Sequence, residues 1–151
     1  MSIVVDTSAF ISLAVGDVLN HTVTTFDLVT TPTVIKELEA TAAYDDRHGT
    51  AAATVLERTN EVTIHDTTGA SFETSRVDAG EASCVAAVRQ RDAVFLVTDD
   101  YRALPELQRL VDAEVAVSPI VIRALVTRDV ISRDRADTAF EQIATGRDWL
   151  D

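Results

Sequence analysis

The sequence predicts an α/β fold: three layers, α/β/α, around a central parallel sheet of about five strands. Two observations carry that prediction. Five short apolar runs rich in β-branched residues recur along the chain: Ile3-Val4-Val5, Leu28-Val29, Val62 to Ile64, Val94 to Val97 and Val115 to Val117. Their apolar character is continuous rather than alternating, as in strands buried on both faces. Between the runs lie segments of helical period opened by capping signals, the βαβ alternation that a parallel sheet requires.

Taken in order, the first run is followed at once by Asp6, so a carboxylate stands at a strand end. Thr31-Pro32 places a capping hydroxyl before a proline at the first helical position, and Asp78-Ala79-Gly80-Glu81 has the Asp-x-x-Glu form of a capping box. Helices are predicted to start at both points. Ser118-Pro119 opens a helix over Ile120 to Val126. Arg133 to Gly146 forms a further amphipathic segment closing near Trp149, so the tail reads as two helices packed on the sheet.

A chain of 151 residues and 16.4 kDa fits one domain, 1–151, and no repeat or low-complexity linker divides it. At this size folding buries roughly 68–70% of the unfolded chain's surface, so no metal or disulfide staple is needed and a metal site would be functional. No apolar run reaches the roughly 18 residues that cross a bilayer, and Met1 to Val5 lacks the basic start of a secretory signal. Cys84 is the only cysteine, and no Cys/His cluster frames a zinc ion. A cytoplasmic protein with no membrane partner is expected.

The charge is skewed: 25 Asp plus Glu against 13 Lys plus Arg, net −12, with Lys36 the only lysine. In molar salt the Debye length shrinks to about 3 Å, which silences self-repulsion while the acids keep the protein hydrated. The composition therefore predicts a halophilic protein, with an ordinary acidic cytosolic protein as the plain alternative. It also argues against a broad phosphate-binding surface, so a nucleic-acid role needs local arginines or bound cations.

The carboxylates are placed informatively. Asp6 follows the first strand, and Asp99-Asp100 follow Val94-Phe95-Leu96-Val97-Thr98, at the strand ends where open α/β sheets bind ligands. Glu37 falls in the second turn of the helix after the second strand, and Glu81 in the first turn of the helix before the fourth. Crowded carboxylates raise one another's pKa unless a cation intervenes, so the cluster reads as a divalent-metal site, and all-oxygen ligands favour Mg²⁺ or Mn²⁺.

At these residues the sequence resembles the PIN-domain family, metal-dependent ribonucleases that include VapC-type toxins of toxin–antitoxin pairs. Val4-Val5-Asp6-Thr7-Ser8-Ala9-Phe10 resembles the opening motif, with Asp6 as first acid and Ser8 as its hydroxyl neighbour. Pro32-Thr33-Val34-Ile35-Lys36-Glu37-Leu38 resembles the second, with Glu37. Gly80-Glu81-Ala82-Ser83-Cys84-Val85-Ala86-Ala87 resembles the third in a Gly-Glu variant, Glu81 standing where many members carry Asp. Leu96-Val97-Thr98-Asp99-Asp100 resembles the closing Thr-x-Asp motif, with Asp100 as fourth acid and Asp99 as an additional carboxylate.

The resemblance implies an endoribonuclease in which Asp6, Glu37, Glu81 and Asp100 are catalytic. With Asp99 they would hold one or two Mg²⁺ or Mn²⁺ ions, while Ser8 and Thr98 position a water or phosphate oxygen. It implies RNA as substrate and an antitoxin protein as partner; the RNA is expected to be single-stranded or looped, because a duplex shields its linkages, and a homodimer stays open.

Other readings stand beside this one. A catalytically inactive PIN module would bind RNA or a protein with the same acids. A phosphotransfer domain of the receiver or haloacid-dehalogenase type also places Asp at strand ends, but Ser8 occupies the second position of its Asp-x-Asp pair and no lysine follows a late strand. Residue by residue, Asp6 also reads as a helix cap, Glu81 as a capping-box member, Lys36-Glu37-Glu39 as a solvated face, and Asp99-Asp100 as a turn signal. His21, His48 and His65 read as surface residues and Cys84 as a small buried hydrophobe. Arg123, Arg128, Arg133 and Arg135 read as an RNA patch or a self-paired surface. Trp149 reads as a core cover or a dimer anchor.

Overall fold

The computed structural model describes residues 2–67 and 77–145. Gly146 and Trp149, the predicted close of the last helix and its aromatic cover, lie outside the described residues.

Strands β1 (Ser2–Val5), β2 (Asp27–Thr30), β3 (Thr63–Ile64), β4 (Phe95–Val97) and β5 (Glu114–Ala116) form one sheet of order β3-β2-β1-β4-β5, every pairing parallel. The helices among the described residues are α1 (Thr7–Val15), α2 (Leu19–Thr25), α3 (Pro32–Ala42), α4 (Arg47–Leu56), α5 (Ala79–Arg91), α6 (Leu104–Leu110), α7 (Ser118–Thr127) and α8 (Arg133–Thr145). They complete the three-layer α/β/α architecture that the apolar runs predict.

The core follows the same logic. Val4, Val5, Leu28, Val29, Leu96 and Val97 are almost fully buried, packed with Phe10, Leu13, Leu38, Ile122 and Leu125 from the covering helices. One strand departs from the expectation: β3 is only two residues long and both are exposed. It pairs on one side only, at the sheet edge, so Ile64 escapes the burial that central strands receive, while Val62 just before it packs partly against the core.

The strand order positions the site. The chain starts in the middle at β1, runs outward to β2 and β3, and returns to β4 on the other side of β1. The direction of winding reverses between β1 and β4, and such a switch point leaves an open crevice at the carboxyl ends of the strands. Val5 pairs with Val97 there, and the Asp6 amide continues the ladder to the Val97 carbonyl at 2.9 Å. The residues emerging side by side into the crevice are Asp6 and the Thr98-Asp99-Asp100 stretch.

Candidate functional site

A cavity of about 750 Å³ opens at this switch point, lined by Asp6, Glu37, Asp78, Glu81 and Asp100 together with Thr7 and Ser8. Carboxylates from β1, α3, the α5 start and the β4 end therefore meet in one place. How each is held explains the motifs.

Asp6 is buried, and its carboxylate accepts from the Thr98 hydroxyl at 3.0 Å. Because Thr98 donates to Asp6, the Ser8 hydroxyl is the donor in its 3.2 Å contact with Thr98, and Ser8 in turn accepts from the Asp99 amide at 2.9 Å. The result is a directed chain of donors ending on Asp6. The expectation that Thr98 positions a water or phosphate is corrected: Thr98 is fully buried and orients Asp6, whereas Ser8 lines the cavity. Burial raises the Asp6 pKa from the usual 3.8 to about 7, and the nearby Asp78 and Glu37 charges add to that rise.

Glu37 is carried on α3, whose start is tied to α5. Thr31 caps α3, accepting from the Val34 amide at 3.2 Å. Its hydroxyl lies 2.7 Å from Ser83, which donates to the Gly80 carbonyl at 2.7 Å. One turn further along α3, the Glu37 carboxylate accepts from the Thr7 hydroxyl at 2.5 Å and rests on Gly80. A Cβ at position 80 would lie 2.2 Å from Glu37 Oε1. Only glycine permits this approach, and the Gly80 amide adds a hydrogen bond. Desolvation raises the Glu37 pKa, opposed by the Thr7 and Gly80 hydrogen bonds.

Asp78 and Glu81 form a complete capping box: Glu81 N–H donates to Asp78 at 2.8 Å and Asp78 N–H donates to Glu81 at 3.0 Å. Each carboxylate keeps further lone pairs for the cavity. Ligand atoms of Asp78, Glu81 and Asp100 all lie within 4.8 Å of one another. Glu81 is buried, and desolvation lifts its pKa far above the carboxylate range, reinforced by a hydrogen bond with Asp100. Glu81 thus both caps α5 and lines the cavity. Asp78, in sequence only the cap of α5, is also a cavity carboxylate.

The Asp99-Asp100 pair separates. Asp100 lines the cavity, its amide donating to Thr98 at 3.2 Å. Asp99 is fully buried elsewhere, accepting from the Ser118 amide at 2.7 Å and the Ser118 hydroxyl at 2.6 Å, where it anchors the start of α7. The expectation of Asp99 as a metal ligand is therefore corrected: both of its oxygens are engaged by Ser118 and it does not line the cavity.

Cys84 is buried as expected, its thiol 3.9 Å from Asp6 and its pKa raised by burial. His48 departs from expectation, because α4 brings it to the cavity wall. Of the arginines, Arg135 pairs with Asp17 at 3.3 Å and Arg128 stacks on Phe26 at 5.1 Å, while Arg123 and Arg133 line a separate cavity of about 410 Å³.

The donor set fits a hard divalent cation: oxygen ligands only, converging within one ion's reach, with protonation states that burial has displaced in the direction a bound cation reverses. No helix among the described residues is long and apolar enough to cross a membrane.

Comparison with known proteins agrees with this fold. The chain is similar in structure to a PilT N-terminus domain protein of the hyperthermophilic archaeon Sulfolobus solfataricus P2. The TM-score is 0.55 at 12% identity, over 82% of this chain and 92% of that one. No curated protein matches the chain. The family described as DUF3368, PIN domain, matches residues 2–150, essentially end to end, and with that match the chain belongs to the PIN-domain family.

Proposed function

We propose that this protein is a divalent-metal-dependent endoribonuclease. The single observation that carries the reading is the convergence of Asp6, Glu37, Asp78, Glu81 and Asp100 on one cavity at the sheet's switch point. Membership in a family whose members are typically nucleases supports it.

In this reading Asp78, Glu81 and Asp100 hold Mg²⁺ or Mn²⁺ between them, with Asp6 and Glu37 completing the acidic wall. Bound there, the cation supplies Lewis-acid chemistry, neutralising charge that develops on the scissile phosphodiester and acidifying the attacking water. The chain's own residues prepare the place. The Ser8–Thr98 hydroxyl chain fixes the Asp6 carboxylate, so its orientation costs no reorganisation when substrate arrives. Thr7 and Gly80 fix Glu37 in the same way, ready to accept a proton from a water beside the phosphate. The acidic cavity excludes a phosphate while empty of cation, which makes RNA binding conditional on metal. Single-stranded or looped RNA is the substrate, because a duplex shields its linkages.

The biological setting proposed is the toxin half of a toxin–antitoxin pair. Induced expression is expected to arrest growth with the wild type and not with Asp6→Asn, and growth arrest by both would remove that setting. For the biochemical reading, purified protein in molar KCl is incubated with structured RNA, with Mn²⁺ or with chelator. Cleavage at unpaired positions only with Mn²⁺ supports the assignment. RNA binding without cleavage would identify an inactive PIN module instead.

A further inference from the structure

The cavity is larger than a cation and a phosphate group need. About 750 Å³ accommodates a small-molecule ligand, and its lining has two characters. The end at the sheet is acidic. The rest of the lining is made by Ile11 from α1, Ala40 and Thr41 from α3, and His48 from α4, with no carboxylate among these four.

His48 is held there by construction. Asp46 caps α4 by accepting from the Gly49 amide at 2.7 Å. The α4 start is pressed against the end of α3 so closely that a Cβ on Gly49 would lie 1.9 Å from the Tyr44 carbonyl oxygen. With α4 packed on both α1 and α3, the backbone that carries His48 is fixed, and the residue is half-buried and lines the cavity.

We propose that this wall is the subsite for the nucleobase next to the scissile phosphate, and that His48 is the residue on which that base stacks. The inference rests on the ribonuclease reading and deepens it. An apolar wall with one flat, polar-edged ring suits a base, whose faces are apolar and whose rim hydrogen-bonds. The phosphate goes to the acidic end, where a cation can meet it. Stacking on His is a general mode of single-stranded RNA recognition. It also suits a protein of net charge −12, since stacking survives the salt that screens contacts to phosphate.

The test uses Asp6→Asn protein, which preserves the RNA, with Mn²⁺ in molar KCl and a fluorescent single-stranded oligoribonucleotide read by anisotropy. His48→Ala in that background is expected to weaken binding about 5- to 10-fold, toward the low end for loss of one base stack because the ring is partly exposed. His48→Phe, which keeps the flat face, is expected to bind within about twofold of the parent, since the stack persists. Oligonucleotides carrying a single abasic site, scanned along the strand, locate the stacked base. At that position the abasic and His48→Ala losses are expected not to add, which a merely structural role of His48 would not produce.

Wild-type cleavage, assayed alongside, separates this proposal from the one beneath it. Cleavage with fully additive losses overturns the His48 subsite and leaves the nuclease standing. Coupled losses without cleavage uphold His48 as the residue on which a base stacks and overturn the catalytic reading. Absence of both cleavage and RNA binding overturns the two together.

Discussion

Replacing Gly80 by alanine tests how tightly the site depends on one missing methyl group. The added Cβ would lie 2.2 Å from Glu37 Oε1 and 2.7 Å from both Cδ and Oε2, whereas real Cβ contacts essentially never fall below 3.0 Å. The Glu37 carboxylate must therefore retreat by at least 0.8 Å, the gap between 2.2 and 3.0 Å. The atom that yields is the end of a flexible side chain, so the fold is not asked to move. The 2.5 Å bond from Thr7 is stretched or lost, at a cost of about 1 kcal/mol. Alanine in the first turn of α5 returns up to about 1 kcal/mol over glycine. Stability is expected to stay within about 1 kcal/mol of wild type, since these two changes nearly cancel. Activity is not protected in this way, because a misplacement of about 1 Å in a catalytic group costs on the order of 10²-fold. Thermal unfolding and single-turnover RNA cleavage, measured on the same preparation, read the two effects separately. Wild-type cleavage by a folded Gly80→Ala protein would refute the claim that Glu37 must sit where Gly80 allows it. An unfolded variant would refute the claim that Glu37 gives way.

Three further predictions concern charge. Asp6 has an ordinary pKa of 3.8 and a folded value of about 7, so between those pH values the folded metal-free chain holds a proton that the unfolded chain has released. Stability is therefore greatest below the lower value and falls as pH rises through the window, by on the order of 4 kcal/mol from this group. Urea unfolding in chelator across pH 4 to 8 is expected to show that decline, and Asp6→Asn to shrink it; equal slopes in the two proteins would contradict the buried-carboxylate account. Glu81→Gln keeps an acceptor for the Asp78 amide and is expected to unfold near the wild-type temperature while binding Mn²⁺ more weakly. Glu81→Ala additionally loses about 1 kcal/mol of stability with the capping box, as followed by calorimetry. With 25 acidic residues against 13 basic ones, the fold is expected to melt at higher temperature in molar KCl than in dilute buffer, and circular dichroism giving equal midpoints would remove the halophilic reading.

The strands and helix starts were legible because they are local. Apolar runs, Thr31-Pro32 and the Asp78–Glu81 box signal themselves within a few residues. Asp6 and Asp100 were legible for a related reason: each stands just past a strand, and a parallel sheet puts all such ends on one edge. The choice between Asp99 and Asp100 needed one more step. Extended chain alternates sides, so Thr98 and Asp100 face together and Asp99 faces away, toward Ser118. That signal was present in the sequence, but the Asp-Asp pair also reads as a turn, which hides the alternation.

The rest depended on contacts between distant segments. Asp78 is a cap in sequence and a cavity carboxylate only because α5 begins at the switch point. Gly80 looks like an ordinary member of a helix start until Glu37, 43 positions earlier, is seen lying on it. His48 sits in a polar stretch, Asp45-Asp46-Arg47-His48, with every local mark of a surface residue. Its place on the cavity wall is decided by how α4 packs across α1 and α3, which no periodicity reports.

In the proposed function the converging carboxylates bind a divalent cation, and this cation enables RNA cleavage. Single-turnover cleavage of a single-stranded oligoribonucleotide, followed across a Mn²⁺ titration in molar KCl for wild type and Asp6→Asn, addresses it most directly. The expected result is a wild-type rate that rises from zero in chelator and saturates with Mn²⁺, with no cleavage by Asp6→Asn at any concentration. Cleavage that persists undiminished in chelator, or that Asp6→Asn performs at the wild-type rate, would contradict it.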